Sequence, residues 1–169
     1  MRQIKINSTT GNELLTGQNV KDYVRIDTSA DDNIISAMIT QARIWCENYI
    51  SRDIVAKNRT YYLDSTNGIF DLPFGPIASI EEITIDGTVT TDYEILGLDN
   101  ETIELDQGPG ERVKITYITN GIDDGLIKQA MLQLISTYYD NRSDFIEGSI
   151  SEIPTSTKSI LTSYKSVFI

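Results

Sequence analysis

The segment Val24-Arg25-Ile26-Asp27-Thr28-Ser29-Ala30-Asp31-Asp32-Asn33-Ile34-Ile35, continued by Ala42-Arg43-Ile44-Trp45-Cys46-Glu47-Asn48-Tyr49-Ile50-Ser51-Arg52, decides the fold. Thr28 and Ser29 each have an acid three residues later, Asp31 and Asp32. That is a capping-box-like pattern with Asp in place of Glu, and a helix is predicted to start there. Projected at about 100° per residue, Ile35, Met38, Ile39, Ala42, Trp45, Cys46, Tyr49 and Ile50 share an arc wide enough to face a core. Ile44 falls on the far side, among Ser36, Thr40, Arg43 and Glu47. Upstream, residues 18–25 carry Val20, Tyr23 and Val24 on one face and predict a short helix. Residues 1–17, rich in Asn, Thr and Gly, have little periodicity and read as an N-terminal arm.

From about residue 55 the period changes from helical to alternating. Val55 to Leu63, Ile69 to Leu72, Ile77 to Ile85, Tyr93 to Leu96, Thr102 to Leu105 and Arg112 to Ile118 are rich in Ile, Val, Thr and Tyr and read as strands. Turn chemistry separates them at Ser65-Thr66-Asn67-Gly68, Pro73-Phe74-Gly75-Pro76, Asp86-Gly87, Asp99-Asn100 and Gln107-Gly108-Pro109-Gly110. These strands predict a small antiparallel sheet, folded as a sandwich or curled barrel. Helix returns after Thr119-Asn120-Gly121 with Asp123 or Asp124 as N-cap. Ile127, Ala130, Met131, Leu134 and Tyr138 make its inner stripe, which Leu132, Ile135 and Tyr139 widen on one shoulder. Residues 142–153 read as an exposed loop. Pro154 then opens a short segment in which Ile160, Leu161 and Tyr164 form a weak helical stripe, before the apolar end Val167-Phe168-Ile169. The expectation is an α+β chain: an arm at 1–17, a helical domain at 18–54 and 119–169, and an inserted β-domain at 55–118.

Composition removes most chemistry. The 169 residues include 25 acids and 14 bases, a net charge of −11, the wrong sign for a protein that grips phosphates by counterion release. The same charge suits a wall past which DNA slides without sticking. There is no histidine, which takes away the commonest general base and the Ser/His/Asp and Cys/His constellations. The single cysteine, Cys46, lies on the apolar arc and reads as a small buried hydrophobe. No apolar run approaches the ~20 residues that span a bilayer, and no signal-peptide pattern is present, so assembly in a cytoplasm without membrane contact is expected.

The remaining motifs read as structure. Asp64-Ser65-Thr66-Asn67-Gly68 lacks the spacing and terminal Glu of an EF-hand and reads as a turn, and Gly108-Pro109-Gly110 sits between strands, not before a helix. Carboxylate pairs are the only chemistry that the composition still permits; Asp64, Asp71, Glu81, Glu82, Asp92 and Glu94 lie in or beside the strand region, and solvent-facing strand positions account for them. No catalytic, cofactor or metal residues are assigned. Tyr61, Tyr62, Phe70, Phe74 and Tyr93 leave open a β-rich module that binds protein or carbohydrate.

Taken in order, these pieces resemble the head-tail connector (adaptor) proteins of long-tailed bacteriophages. Val20-Lys21-Asp22-Tyr23-Val24-Arg25-Ile26-Asp27 is similar to that family's opening motif. Asp31, Ile34 or Ile35, Ile39, Ala42, Arg43, Glu47, Tyr49 and Arg52 follow its first long helix. Leu72-Pro73-Phe74-Gly75-Pro76-Ile77-Ala78-Ser79-Ile80 and Val113 to Gly121 look like the borders of its β insertion, and Ala130 to Arg142 like its second long helix. The resemblance implies a structural virion protein: a ring of copies of itself, usually twelvefold, beneath the portal, joining the DNA-filled head to a tail or neck protein. DNA would pass through its channel without specific binding. A neighbouring tail-completion protein is the nearest alternative. On this reading Ile44, Leu132 and Tyr139 are expected at the subunit seam, and Ile160, Tyr164, Phe168 and Ile169 at the dock on portal or neck.

Overall fold

The change of period at residue 55 marks a real change of architecture. A computed structural model of the chain describes residues 1–141 and 154–166. Its contacts divide these into two units, one of strands built from Met1–Asn12 and Ser51–Ile122 together with Ser166, the other of helices from Glu13–Ile50 and the described part of Asp123–Lys165. The fold is α+β, as the sequence predicts.

In the strand unit, β1 (Arg2–Thr9), β2 (Lys57–Thr66), β8 (Gly110–Thr119), β4 (Ile77–Ile85) and β5 (Thr88–Thr90) form one antiparallel sheet in the order β1-β2-β8-β4-β5. A second antiparallel sheet has the order β3-β7-β6, from Ile69–Asp71, Thr102–Leu105 and Tyr93–Leu96. Alternation explains the packing. In β2 the odd positions Lys57, Arg59, Tyr61 and Leu63 are buried and the intervening Asn58, Thr60 and Tyr62 half-buried. Tyr61 and Leu63 lie opposite Ile115 and Val113 of β8, and Ile83 of β4 lies opposite Ile115. Together with Leu72, Ile77, Tyr117 and, from the second sheet, Ile103 and Leu105, they form one apolar cluster.

Two strands depart from the sequence reading. The expected arm at residues 1–17 contains β1, paired with β2 from Arg2↔Leu63 to Thr9↔Lys57, and its last residue opens the first helix. All eight side chains of β1 are exposed, so no burial pattern marks it; backbone pairing recruits it to the sheet, helped by the Asn7 side chain donating to Asn58 Oδ1 and Thr60 Oγ1 of β2. Thr88–Thr90 forms β5 because Asp86 and Gly87 both take positive φ, 51° and 82°, the two-residue turn that folds β4 back on itself.

The helical unit contains α1 (Gly17–Val24), α2 (Asp32–Ile50), α3 (Gly125–Asp140) and α4 (Thr155–Thr162). The capping box lies earlier than Thr28/Ser29. Thr16 Oγ1 accepts from the Asn19 amide while Asn19 Oδ1 accepts from the Thr16 amide, and α2 begins at Asp32. Asp124, one of the two expected caps, starts α3 by accepting from the Leu126 amide at 2.7 Å. Ile35, Met38, Ile39, Ala42, Cys46 and Ile50 of α2 are buried, as are Ile127, Ala130, Met131, Leu134 and Ile135 of α3 and Leu161 of α4. Trp45 and Tyr49, expected on the inner stripe, are half-buried and stack with ring centroids 5.2 Å apart. The loop expected at residues 142–153 lies outside the described residues.

Candidate functional site

On α2 the usual allocation of charge is reversed. Between Asn33 and Tyr49 the helix has two charged residues, Arg43 and Glu47, and both are buried, 6% and 4% exposed. Arg43 Nη1 donates to Glu47 Oε2 at 2.9 Å and its Nε to Glu13 Oε2 at 2.8 Å. The exposed positions in that span are Asn33, Ile34, Ser36, Ala37, Gln41, Ile44 and Asn48, with Ile34 at 44% and Ile44 at 46%. The sequence projection grouped Arg43 and Glu47 with Ile44 on the far side; the structure corrects this. The pair is internal because the Arg43 guanidinium is bonded to two carboxylates, Glu47 through Nη1 and Glu13 through Nε, which meets the condition for burying charge and leaves an outer face without any.

A second feature of the helical unit is a shallow groove lined by Leu14, Leu15, Asn19, Asp22, Tyr23, Lys128 and Leu132. Leu132 is thus half-buried on the wall of a concavity, where Ile44 is a projection. Tyr139 is half-buried, and its hydroxyl donates to Asp31 Oδ2 at 2.5 Å, tying α3 to the loop before α2. Ile44, Leu132 and Tyr139 thus have three different local settings, an exposed helix position, a groove wall and a tether to Asp31.

At the C-terminal side, Ile160 is half-buried beside the fully buried Leu161. The Tyr164 hydroxyl donates to Asp124 Oδ1 at 2.6 Å, closing α4 onto the cap of α3 and holding the Asp124 carboxyl below the usual carboxylate range. Phe168 and Ile169 lie outside the described residues.

The strand unit holds ionic groups that sequence reasoning missed. Asp53 is fully buried, receives Arg59 Nε at 2.7 Å and Nη2 at 2.6 Å, Lys57 Nζ at 2.9 Å and Thr119 Oγ1 at 2.8 Å. Burial alone would raise its carboxyl, but the Arg59 bonds and the charges of Arg59 and Lys57 outweigh that and hold it below the ordinary 3.8. The Arg59 guanidinium also lies 3.8 Å from the centroid of the Phe74 ring. The available signal was Lys57 and Arg59 at alternate, core-facing positions of β2, which require a buried anion. Asp64, Asp71, Glu81, Glu82, Asp92 and Glu94 are all exposed, the ordinary environment for strand carboxylates. Among the described residues no three His, Cys, Asp or Glu side chains are grouped to hold a metal, and no helix is long and apolar enough to cross a membrane. What the geometry offers is surfaces for association.

A family model described as "Phage gp6-like head-tail connector protein" matches residues 16–95. No curated protein matches the chain. Among solved structures, a chain of "Neck of empty GTA particle computed with C6 symmetry" is similar with a TM-score of 0.77 at 17% identity, over 99% of this chain and 97% of that one. A chain of "Virion of native gene transfer agent (GTA) particle" is similar at 0.69 and 13% identity, over 99% and 97%. A third, from "Neck of native GTA particle computed with C12 symmetry", reaches 0.65 at 16% identity, over 96% and 97%. At these identities the likeness is one of fold. The matched stretch, which runs from the N-cap of α1 into β6, bears out the resemblance to the phage head-tail connector proteins, a family with a structural role.

Proposed function

We propose that the chain assembles as a closed ring in a virion neck, beneath the portal, and joins the DNA-filled head to a tail or further neck protein. The observation that carries this is the coincidence of a connector-family match with a full-length fold likeness to chains of neck structures, two of them computed with C6 and C12 symmetry. Twelve copies is the number we favour. A heterologous ring needs two different surfaces on each subunit. The uncharged projecting face of α2, centred on Ile44, supplies one, and the groove walled by Leu132 supplies a shape for it to enter. Tyr139 acts at the seam by holding α3 to the loop before α2. The segment with Ile160, Tyr164, Phe168 and Ile169 docks on portal or neck protein, and the acidic charge of −11 lets DNA pass unbound.

The test is the mass of the full chain by light scattering, alone and with portal protein, for the native sequence, Ile44→Asp and Leu132→Asp. Native rings or portal complexes, with folded monomers in both variants, are expected. A native chain that stays monomeric and ignores portal protein would overturn the reading, and intact rings in both variants would remove these residues from the seam.

A further inference from the structure

We infer that the five-stranded sheet continues from one copy of the chain to the next, with the free edge of β1 pairing with the free edge of β5 in the neighbouring subunit. This rests on the ring reading above and adds a second seam of different chemistry to it.

The sheet order β1-β2-β8-β4-β5 leaves an unpaired strand at each end among the described residues. A free edge is a row of unpaired N–H and C=O groups, and proteins usually blunt it by keeping it short or covering it. β1 is neither short nor covered: eight residues, every side chain exposed, Ile4 at 39% and Ile6 at 49%. Its register with β2 places Ile4 opposite Tyr61 and Ile6 opposite Arg59, on the side of the sheet that is buried one strand further in. β5 presents Val89 at 60% exposure at the other end.

The two edges carry opposite charge. β1 has Arg2 and Lys5 and no acid, the one strand of the eight with cations alone. The segment around β5, from Ile85 to Glu94, has Asp86, Asp92 and Glu94 and no base. Asp86 is bonded to Arg112 at 2.6 Å, but Asp92 and Glu94 are exposed and without a salt bridge among the described residues, as are Arg2 and Lys5. In a chain of net charge −11, a purely basic strand at one end of a sheet and an acidic hairpin at the other favour head-to-tail contact and oppose β1 meeting β1.

Topology makes the inference specific. Each neighbour in the order is antiparallel, so β1 runs opposite to β2, with β8 and against β4, and hence in the same direction as β5. Rotation about a ring axis preserves strand direction from copy to copy, so the junction is parallel. A two-fold contact would instead join β1 to β1 in antiparallel fashion and close a dimer. Within one copy β1 and β5 are four strand spacings apart, about 19 Å at ~4.8 Å each, well beyond disulfide reach.

The experiment uses the full chain with Cys46→Ala. Val89→Cys on the outer side of β5 is combined in turn with Gln3→Cys, Lys5→Cys and Asn7→Cys along the outer side of β1, and the protein is oxidised. At least one combination is expected to give a ladder of covalent oligomers on a denaturing gel, while each cysteine alone gives monomer. Separately, Arg2→Glu with Lys5→Glu should weaken association at least about tenfold without lowering the melting temperature, and adding Asp92→Lys with Glu94→Lys should restore it. Rings by light scattering with no ladder in any combination would overturn this inference and leave the ring standing. Dimers from a β1 cysteine alone would overturn it in favour of a two-fold contact. A chain that is monomeric and uncross-linked throughout overturns both.

Discussion

Arg43 and Glu47 stand one turn apart on α2 and are bonded to each other, Nη1 to Oε2 at 2.9 Å, with almost no exposure to water. The same guanidinium reaches Glu13 through Nε, so a single cation ties the middle of the long helix to the segment that precedes α1. Charges that a long surface helix would ordinarily turn to water are here placed inside, and the outer face of α2 between Asn33 and Asn48 has none.

The first prediction concerns that pair. Arg43→Met removes the cation facing a buried carboxylate and should cost about 3 kcal/mol in urea unfolding, whereas Arg43→Met combined with Glu47→Leu should recover at least half of it. A double variant as unstable as the sum of two singles would show that the two residues act independently.

A second prediction concerns pH. Because Arg59 and Lys57 hold the Asp53 carboxyl below 3.8, its contribution is fully present above the unfolded value of about 3.9 and is lost as pH falls through the lower folded value. Asp53→Asn should lower stability at pH 7 by about 3 kcal/mol, since two buried cations lose their anion, and should flatten the loss of stability below pH ~4. Urea midpoints measured from pH 7 down to pH 2.5 check both.

Cys46 supplies a third. The thiol is fully buried, and burial, with the Glu47 charge behind it, pushes it up to about 12. Thiolate is therefore scarce as well as shielded at pH 8, and a disulfide reagent should label the folded protein at least about a hundred times more slowly than the urea-unfolded one. Equal rates would mean that α2 opens freely.

How much of this was legible in the sequence depends on whether a residue's neighbours lie close along the chain. The inner stripe of α2, the cap of α3 at Asp124 and the alternation of β2 are local patterns, and each is read from periods of 3.6 or 2. Periodicity treats charge as outward, so it misplaced Arg43 and Glu47, whose burial depends on Glu13 thirty residues away. It missed β1 because the alternation Gln3-Ile4-Lys5-Ile6-Asn7 is short, has only two apolar members and buries neither, and its partner β2 begins almost fifty residues later. The candidate surfaces divide in the same way: Ile44 stood out on the helix projection, whereas the opposed charges of the β1 and β5 edges are visible only when the strand order is known.

The last prediction is made at Glu101, where the sign is the reverse of that at Asp53. Burial pushes this carboxyl above its ordinary 4.5, although Arg52 Nη2 lies 3.7 Å away, with Asp99 and Asp71 adding to the rise. Its Oε1 is buried and accepts no hydrogen bond among the described residues. The ionised form is thus worse accommodated in the folded chain than in the unfolded one, so ionising it lowers stability as pH rises from about 4.5 through the folded value. Glu101→Gln removes that ionisation and keeps the shape. Relative to the native chain, the variant should gain stability as pH rises from 4 to 7, a difference read from paired urea midpoints. A variant less stable than the native chain at pH 7 would show that the attraction to Arg52 outweighs the cost of burying the carboxylate.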